Sequence, residues 1–372
     1  KLVAQGHGSA FTLAATRGVL ISADSEIDNN STNNTVTVAG PISGSSGLTV
    51  GGSGVVALSG TSTFSGTVTV PVGATLQMGD GGATGTLAAT SLINNGSLRF
   101  NLTSPSTVAG VISGVGSVTV NGAGTVTLSG SNTYSGGTFI NAGANLQISG
   151  DANLGSYPAT AATNITFNGG TLTVAGQSGL VSLNPNRLMS MGALGGTINN
   201  ASSSYGLQIN APIISSGPVN LLGSDLTLNA NVTVSTASPI LVKTTGNILQ
   251  GSGVAVTSAG GNITYWSDSD GSGDGAIVLN SSGSATQILS NNGNIVLGGG
   301  SGLGSVPTGA ARGGVGVNLR TGSVLRAGTG DVTIVGTANQ LISGVNNYGV
   351  FVGGVVSGNH ITITGAGYDN GA

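Results

Sequence analysis

Apolar and polar residues alternate along most of this chain in short segments. Examples are Thr35-Val36-Thr37-Val38, Thr67-Val68-Thr69-Val70 and Ser117-Val118-Thr119-Val120. A period of two places every second side chain on the same face of a β-strand. Clusters of Gly, Ser and Asn interrupt the alternation roughly every 8–12 residues, and these residue types favour turns. The pattern predicts an all-β chain of short strands with one apolar face each, and no helix of useful length.

A long internal repeat decides how these strands are arranged. Residues 38–78 align without gaps on residues 108–148, at an offset of 70, with 21 identities in 41 positions. Self-similarity at a fixed period indicates stacked structural units. Three coils of about 23 residues would fill one period, as in other solenoids. We therefore expect a single-stranded parallel β-helix (β-solenoid) of about 16 coils. Its right-handed winding is expected from the usual chirality of parallel β connections.

The repeat type changes along the chain. Units in the second half open with Gly, then Asn or Asp, then an apolar residue, as in Gly246-Asn247-Ile248, Gly261-Asn262-Ile263, Gly293-Asn294-Ile295, Gly330-Asp331-Val332 and Gly358-Asn359-His360-Ile361. We place the change near residues 155–200, with candidate junction loops at 151–158 and 184–187. The predicted divisions are residues 1–155, with the 70-residue repeats, and residues 156–372, where the solenoid continues.

Composition excludes several classes of protein. Only 5% of the 372 residues are charged and 3% are aromatic, so a conventional core of large side chains cannot form. Hydrophobic residues reach 38% and the net charge is −3, which excludes disorder. The 8 basic residues are scattered, so neither nucleic acid nor a membrane surface is an expected partner. No apolar run approaches the ~20 residues of a spanning helix.

One segment of the first half resembles a known family. Residues 128–138 read Leu-Ser-Gly-Ser-Asn-Thr-Tyr-Ser-Gly-Gly-Thr, and Ile140, Ala142-Gly143 and Leu146-Gln147 follow. This segment closely resembles the passenger-associated repeat of bacterial autotransporters. Residues 58–77 are a weaker copy, with Phe64 in place of Tyr134 and Thr67 in place of Gly137. We expect the recurring aromatic residue to pack at a corner of the solenoid.

Residues 205–372 resemble the filamentous-haemagglutinin-like repeat regions of large secreted adhesins. Together the two resemblances imply export across a bacterial outer membrane and display or release as a β-helical passenger. The chain has no cysteine, which suits an oxidising export route. It does not begin with Met and shows no signal peptide, so we expect a mature or excised piece of a longer protein. The secretion route stays open.

A cluster of carboxylates is the strongest candidate for a metal site. Asp268, Asp270 and Asp274 follow Trp266 in a glycine-rich stretch. Alternating carboxylates suit Ca²⁺, which binds six to eight oxygens. The spacing begins like an EF-hand loop, but Leu279 stands where that loop has Glu, and no helices flank it. The alternative is a polar turn that protrudes from the solenoid, with Trp266 as a cap over the coil below. We expect no other cofactor.

A second acidic group is Asp24, Glu26 and Asp28, which share one face of a strand. A row of like charges either resists unwanted strand pairing or attracts a cation, and we expect a solvated face.

Catalytic constellations are not apparent in the sequence. The two histidines, His7 and His360, lie about 350 residues apart without a second ligand at metal spacing, and no Gly-x-Ser-x-Gly elbow occurs. Lys243 and Asp225 are the closest mixed-charge pair in a strand region, and they make a poor polysaccharide-cleaving site. We therefore expect a protein that is not an enzyme.

The sequence favours a structural and adhesive role outside the cell, as the passenger of a large secreted adhesin at a bacterial surface. Its expected partners are a host, neighbouring-cell or matrix surface, through glycan or protein. One alternative is a subunit of an extracellular filament or sheath that joins head to tail with its own copies. A weaker alternative is a β-helical enzyme that acts on polysaccharides.

Overall fold

The computed structural model describes residues 1–4, 10–86, 90–301, 311–338 and 348–367. The chain divides into two compact units, Lys1–Thr173 and Val174–Ala372. The regular secondary structure in the described parts of both units is almost entirely parallel β-strand, and a short 3₁₀ helix, Asp151–Leu154, lies in the first. In the part of the chain that is described, no helix has the length and apolar character that crossing a membrane requires.

The described part of the first unit contains nineteen strands, and a twentieth ends at the boundary. They are β1 (Leu2–Ala4), β2 (Phe11–Leu13), β3 (Val19–Ile21), β4 (Ser25–Asn29), β5 (Thr35–Val38), β6 (Ile42–Gly44), β7 (Leu48–Gly51), β8 (Val55–Leu58), β9 (Thr67–Val70), β10 (Thr75–Met78), β11 (Ser91–Asn94), β12 (Ser97–Phe100), β13 (Ser106–Val108), β14 (Val111–Ser113), β15 (Ser117–Val120), β16 (Thr125–Leu128), β17 (Thr138–Asn141), β18 (Asn145–Ile148), β19 (Ala162–Asn168) and β20 (Thr171–Val174).

The second unit contains the other described strands. They are β21 (Val181–Leu183), β22 (Arg187–Met191), β23 (Gly196–Asn200), β24 (Leu207–Ile209), β25 (Ile213–Ser215), β26 (Val219–Gly223), β27 (Leu226–Leu228), β28 (Val232–Val234), β29 (Ile240–Thr244), β30 (Ile248–Gln250), β31 (Ala255–Ser258), β32 (Ile263–Ser267), β33 (Ile277–Leu279), β34 (Gln287–Leu289), β35 (Ile295–Gly299), β36 (Ala311–Gly313), β37 (Val317–Leu319), β38 (Val324–Arg326), β39 (Val332–Ala338), β40 (Val350–Val352), β41 (Val355–Ser357) and β42 (Ile361–Ala366).

Three larger sheets enclose the first unit. Sheet 1 has the order β1-β4-β7-β9-β11-β14, sheet 2 has β2-β5-β8-β10-β12-β15-β17-β19, and sheet 3 has β13-β16-β18-β20. The strands β3 and β6 form a small additional sheet. Since consecutive strands belong to different sheets, the chain winds from face to face and returns to each sheet one coil later. The predicted parallel β-solenoid is confirmed.

The second unit winds in the same manner with greater regularity. Sheet 4 has the order β22-β25-β28-β31-β34-β38-β41, and sheet 6 has β21-β24-β27-β30-β33-β37-β40. Sheet 5 runs β23-β26-β29-β32-β35-β39, and both β36 and β42 pair with β39. The strand number rises by three from neighbour to neighbour over most of each sheet. Each coil therefore contributes one strand to each of three faces.

The core is a set of vertical rows of inward side chains. In sheet 2 one such row is almost completely buried and consists of Val38, Leu58, Met78, Phe100, Val120, Ile140 and Phe167. Each member lies directly against the same position of the next coil, because the strands are parallel and in register. The alternation of apolar and polar residues thus places the apolar half of every strand inside.

Coils are fewer than the 16 expected. Among the described residues, sheet 2 receives eight strands in the first unit and sheet 4 receives seven in the second. The length of a coil is not constant along the chain. Early coils are short, as from Val55 to its partner Thr75, whereas a later and longer coil runs from Ile263 to its partner Ile295. Insertions such as residues 268–275 lengthen the later coils, and this lowers their number.

The 70-residue repeat has a different geometry from the one predicted. Its first copy contains β7, β8, β9 and β10, which alternate between sheets 1 and 2. Its second copy contains β15, β16, β17 and β18, which alternate between sheets 2 and 3. The second copy is therefore displaced by one face from the first, and the two copies share only sheet 2. The 70 residues between the copies complete three short coils and then continue to the next face. The prediction was three longer coils of equal length, which would have returned the chain to the same face.

The recurring aromatic residue of the repeat packs inside, as predicted. Phe64 and Tyr134 are 0% and 1% exposed. The tyrosine hydroxyl lies 2.8 Å from the hydroxyl of Thr138, which is also buried. In both copies the aromatic ring lies where the chain turns from one face to the next. Tyr134 carries a hydroxyl that Phe64 lacks, and Thr138 is the hydrogen-bond partner that this buried hydroxyl needs.

A buried amide joins the coils beside Tyr134. The Oδ1 atom of Asn132 accepts the N–H of Ile112 at 2.8 Å, and its Nδ2 donates to the carbonyl of Asn153 at 2.6 Å. Asn153 in turn donates to the carbonyl of Gly130 at 3.0 Å. In the first copy Ser62 occupies the equivalent position and donates to the carbonyl of Ile42. A polar side chain at this position satisfies backbone groups that the strands leave unpaired.

We expect Asn132→Ala to lower the free energy of unfolding by about 1–3 kcal/mol, because buried backbone groups lose their partners. Urea unfolding followed by circular dichroism measures the change. Asn33→Ala is the matched control, since Asn33 is exposed, and it should change stability by less than about 0.5 kcal/mol. Equal effects of the two substitutions would contradict the assigned role of Asn132.

Four of the five Gly-Asn/Asp-apolar motifs of the second unit form a ladder along one corner, at the start of the strands of sheet 5. The Oδ1 atom of Asn262 accepts the N–H of Asn294 at 2.9 Å, and Oδ1 of Asn294 accepts the N–H of Asp331 at 2.9 Å. Asp331 continues the series and accepts the N–H of His360 at 3.1 Å. Each side chain thus binds the backbone of the next coil. The motif recurs because Asn and Asp supply a short acceptor where the strand begins.

The last rung of this ladder depends on pH. The Nδ1 atom of His360 lies 2.9 Å from Oδ1 of Asp331. Hydrogen bonds from the His360 side chain and backbone hold the pKa of Asp331 below its usual range. A lowered pKa means that the stabilising contact is present above the ordinary aspartate value of about 3.9 and is lost as the pH falls through the lower folded value.

An NMR titration of the Asp331 carboxyl carbon tests this contact. We expect a midpoint below about 3.9 in the native chain and a shift back toward that value in His360→Ala. Asp331→Asn identifies the signal by removing it and keeps an acceptor oxygen like those of Asn262 and Asn294. Identical midpoints in the native chain and in His360→Ala would contradict the assignment.

Candidate functional site

The second unit has an outward groove on sheet 5 that the sequence does not single out. Leu222, Lys243 and Trp266 lie side by side on three neighbouring strands, since Leu222 pairs with Lys243 and Lys243 with Trp266. Their side chains belong to the outward half of the alternation. The lysine and the tryptophan are one coil apart in the sequence, and the winding of the chain brings them together.

The strand β32 is buried on both faces at this point. Tyr265 points inward, and its hydroxyl donates to Oε1 of Gln250 at 2.8 Å. Burial holds the pKa of Tyr265 far above its usual range, so the phenol is a neutral donor. Trp266 points outward yet is completely buried, and its Nε1 donates to the carbonyl of Gly300 at 2.8 Å. Gly298 is paired with Trp266 in the next coil and leaves room for the indole ring.

The ammonium of Lys243 lies over the face of this indole, 3.8 Å from the ring centroid. Such a cation–π contact contributes about 0.5–2 kcal/mol, more when it is shielded from water. Lys243 is half-buried. Within the described ranges no carboxylate forms an ion pair with it. The contact therefore fixes a positive charge at the wall of the groove without neutralising it.

The groove beside this lysine has a volume of about 430 Å³. Its lining consists of small polar and apolar residues: Asn200, Ala201, Ser202, Ser203, Leu222, Gly223, Ser224, Lys243, Thr245 and Ser269. Two of the serines are engaged within the protein. Ser202 Oγ accepts the N–H of Tyr205 at 3.0 Å, and Ser224 Oγ accepts from Asn200 Nδ2 at 3.0 Å.

Three other hydroxyls at the groove make no hydrogen bond to any described residue. They belong to Ser203, Thr245 and Ser269, and the first two are exposed to solvent. The groove thus combines one fixed cation, three available hydroxyl groups and an apolar patch from Leu222 and Ala201. This combination can bind a polar ligand, and it contains no nucleophile activated by a neighbouring base.

Asp268, Asp270 and Asp274 lie in the loop that follows Trp266. Asp268 is completely buried, and its Oδ1 accepts the N–H of Gly273 at 2.9 Å. Asp270 is exposed, and its Oδ1 accepts the N–H of Ser272 at 3.2 Å. Asp274 is also exposed. The loop protrudes from the coil, and at least two of its carboxylates fold back onto its own backbone.

Across the described residues, no three Asp, Glu, His or Cys side chains come together in an arrangement that could hold a metal ion. The spacing of acids in the sequence does not reveal the direction in which their oxygens point. Calcium binding by Asp268, Asp270 and Asp274 stays a prediction. The expected capping role of Trp266 agrees with its complete burial.

The acids of the first unit also have partners inside the chain. The ammonium of Lys1 lies 2.9 Å from Glu26 and 2.6 Å from Asp28. Asp28 is 7% exposed, so the expected solvated face is wrong at this residue: β1 covers it, and the lysine is the cation that the two acids attract. Hydrogen bonds to Asp28 and Glu26 raise the pKa of Lys1. Asp24 accepts the N–H of Gly47 at 2.7 Å.

The remaining candidates are not brought together. Asp225 uses its Oδ1 to accept the N–H of Asn247 at 2.6 Å, while Lys243 contacts Trp266. His360 lies on the Asn ladder beside Asp331. His7 lies outside the described residues.

Comparison with known families agrees with this geometry. Residues 48–78 and 118–148 both match the passenger-associated-transport-repeat family. The two matched segments are the two four-strand copies, which are displaced from each other by one face of the first unit. The resemblance of residues 58–77 and 128–147 to autotransporter passengers is thereby confirmed. No curated protein and no solved structure is significantly similar to the chain.

Proposed function

We propose that this chain, which carries two passenger-associated-transport repeats in a β-solenoid, is passenger sequence displayed on or released from a bacterial surface, where it serves as a non-enzymatic adhesin. The observation that carries the proposal is the correspondence between matched repeat and structure. Each matched segment forms the same pair of two-coil strand ladders, with Leu48 against Val68 in the first copy and Val118 against Thr138 in the second.

The environment of the acids supports a structural role rather than catalysis. Carboxylate oxygens of six aspartates accept backbone N–H groups of the chain itself: Asp24, Asp80, Asp225, Asp268, Asp270 and Asp331. Polysaccharide-cleaving solenoids need a pair of carboxylates, or a carboxylate with a base, turned toward a substrate. An acid that caps the backbone is committed to holding a turn.

The outward surface supports adhesion through many weak contacts. Outward positions on the strands are rich in Thr, Ser and Asn, which donate and accept hydrogen bonds without strong charge. Repetition along a solenoid places such groups at regular intervals, so that weak sites act together on a surface with many copies of a ligand.

Display on a bacterial host tests the proposal. We expect the chain, fused between an export signal and an autotransporter translocator barrel, to reach the outer surface in a protease-resistant form. Cells that carry it should adhere to epithelial or matrix-coated surfaces at least severalfold better than cells with the barrel alone. Antibody labelling of intact cells and counts of adherent cells measure the two properties.

A variant with a disrupted core is the control for folding. Leu146→Asp places a charge at a fully buried position, so the chain should become protease-sensitive and lose adhesion. Retention of the native chain inside the cell would contradict the passenger role. Folded, surface-exposed chain that adds no adhesion would contradict the adhesive role.

A second candidate function is self-assembly into an extracellular filament. In the last described coil, Ile361 and Ile363 pair with fully buried Val332 and Ile334, yet they are 46% and 45% exposed. Apolar side chains in this inward row can be covered by a further coil of the same protein or by a second copy of the chain.

Negative-stain microscopy over a range of concentrations tests assembly. The filament proposal predicts fibres of uniform width that disappear when Ile361 and Ile363 are both replaced by Lys. Particles of constant size at every concentration would contradict it. A fibre that forms equally well with both lysines would place the contact elsewhere and contradict the assigned surface.

A further inference from the structure

We propose that the groove beside Lys243 binds a saccharide that bears a single carboxylate, such as a sialic acid or a uronic acid. This inference rests on the proposed adhesive function and deepens it by naming a ligand class. The carboxylate would pair with the ammonium of Lys243, and the sugar hydroxyls would bind the side chains around it.

The first step of the argument is the fixed charge. Lys243 is held against Trp266 at 3.8 Å, and no described carboxylate pairs with it. An ammonium placed in this way loses little side-chain entropy when an anion arrives, because the indole already restricts it. The anion gains a charge-assisted hydrogen bond, which is stronger than a bond between neutral groups.

The second step is the set of hydroxyl groups. Ser203, Thr245 and Ser269 line the same groove and make no hydrogen bond through their hydroxyls to a described residue. A sugar ring presents hydroxyls in several directions, and each can both donate to and accept from a serine or threonine. Leu222 and Ala201 add apolar surface that suits the C–H face of the ring.

The third step is size. The volume of about 430 Å³ lies within the usual range of small-molecule sites, roughly 300–1,000 Å³. The groove is open to solvent along one side, so a longer glycan can extend beyond it. A terminal or internal acidic sugar fits this space.

The fourth step is the number of charges on the ligand. One cation lines the described groove, so the site can pair with one negative group. The site therefore favours one carboxylate over the many sulfates of a polysulfated glycan.

The single tryptophan gives a direct readout. Trp266 is the only one in the chain, and it contacts the proposed ligand-binding ammonium. We expect its fluorescence to change when purified full chain is titrated with sialyllactose or with trigalacturonate. Lactose and methyl-esterified trigalacturonate are the neutral controls, and the two acidic probes distinguish sialic from uronic acid as the source of the carboxylate.

Two variants define the role of the lysine. Lys243→Gln should weaken binding of the acidic probe by about tenfold or more, because a charge-assisted bond is lost. Binding by Lys243→Gln is followed by calorimetry, since the substitution also alters the tryptophan signal. Arg320→Gln removes an exposed cation of the same unit that bonds to Asn280, away from the groove, and should leave the affinity unchanged.

The outcomes separate this inference from the adhesive function. Selective binding of an acidic probe that requires Lys243 supports the site. Equal binding of acidic and neutral probes, stronger binding of heparin, or no binding at all would overturn it. Cell adhesion is a separate readout: a native chain that binds no acidic probe while cells displaying it still adhere would reject the site and leave the adhesive function standing.

Discussion

The in-register stacking of parallel strands is the constraint on which the rest of the structure depends. Every inward side chain meets the same position of the coil before and after it, about 4.8 Å away. The inward rows consist mainly of Val, Leu and Ile. The larger members, such as Phe100 and Phe167, stand beside smaller neighbours in the same row. Backbone groups at the corners, where strands end, need other partners, and Asn and Asp supply them.

The same constraint determines where function can lie. The interior is filled and the corners are held by amide and carboxylate caps, so only outward positions remain for binding. The groove at Lys243 arises where a large side chain, Trp266, occupies an outward position. Gly298 in the next coil leaves room for the indole, and Lys243 in the previous coil covers it. The scaffold then holds a charge in place by packing instead of by an opposing carboxylate.

The sequence predicts the strands and the solenoid because a period of two and a gapless repeat can both be recognised from the order of residues alone. It does not predict the face on which a repeat lies, since that depends on the sum of all loop lengths between the copies. It does not show how the acids of the loop are held, since the spacing of Asp268, Asp270 and Asp274 does not reveal that the Asp268 carboxylate accepts the N–H of Gly273. Lys243 and Trp266 are separated in the sequence by the length of one coil, which is the separation expected of side chains that stack on neighbouring strands. This separation indicates a contact only once the strand register is known.

Disulfide cross-linking measures the central claim, the register of neighbouring coils, most directly. The native chain has no cysteine, so introduced pairs report without competition. Thr119 pairs with Phe139 on the outward side of sheet 2, whereas Gln147, which belongs to the second repeat copy, lies in sheet 3. Neighbouring parallel residues are close enough for a disulfide. The account predicts rapid oxidation of the Thr119→Cys/Phe139→Cys pair and none of the Thr119→Cys/Gln147→Cys pair. The reverse result would contradict the coil register and the assignment of β18 to sheet 3.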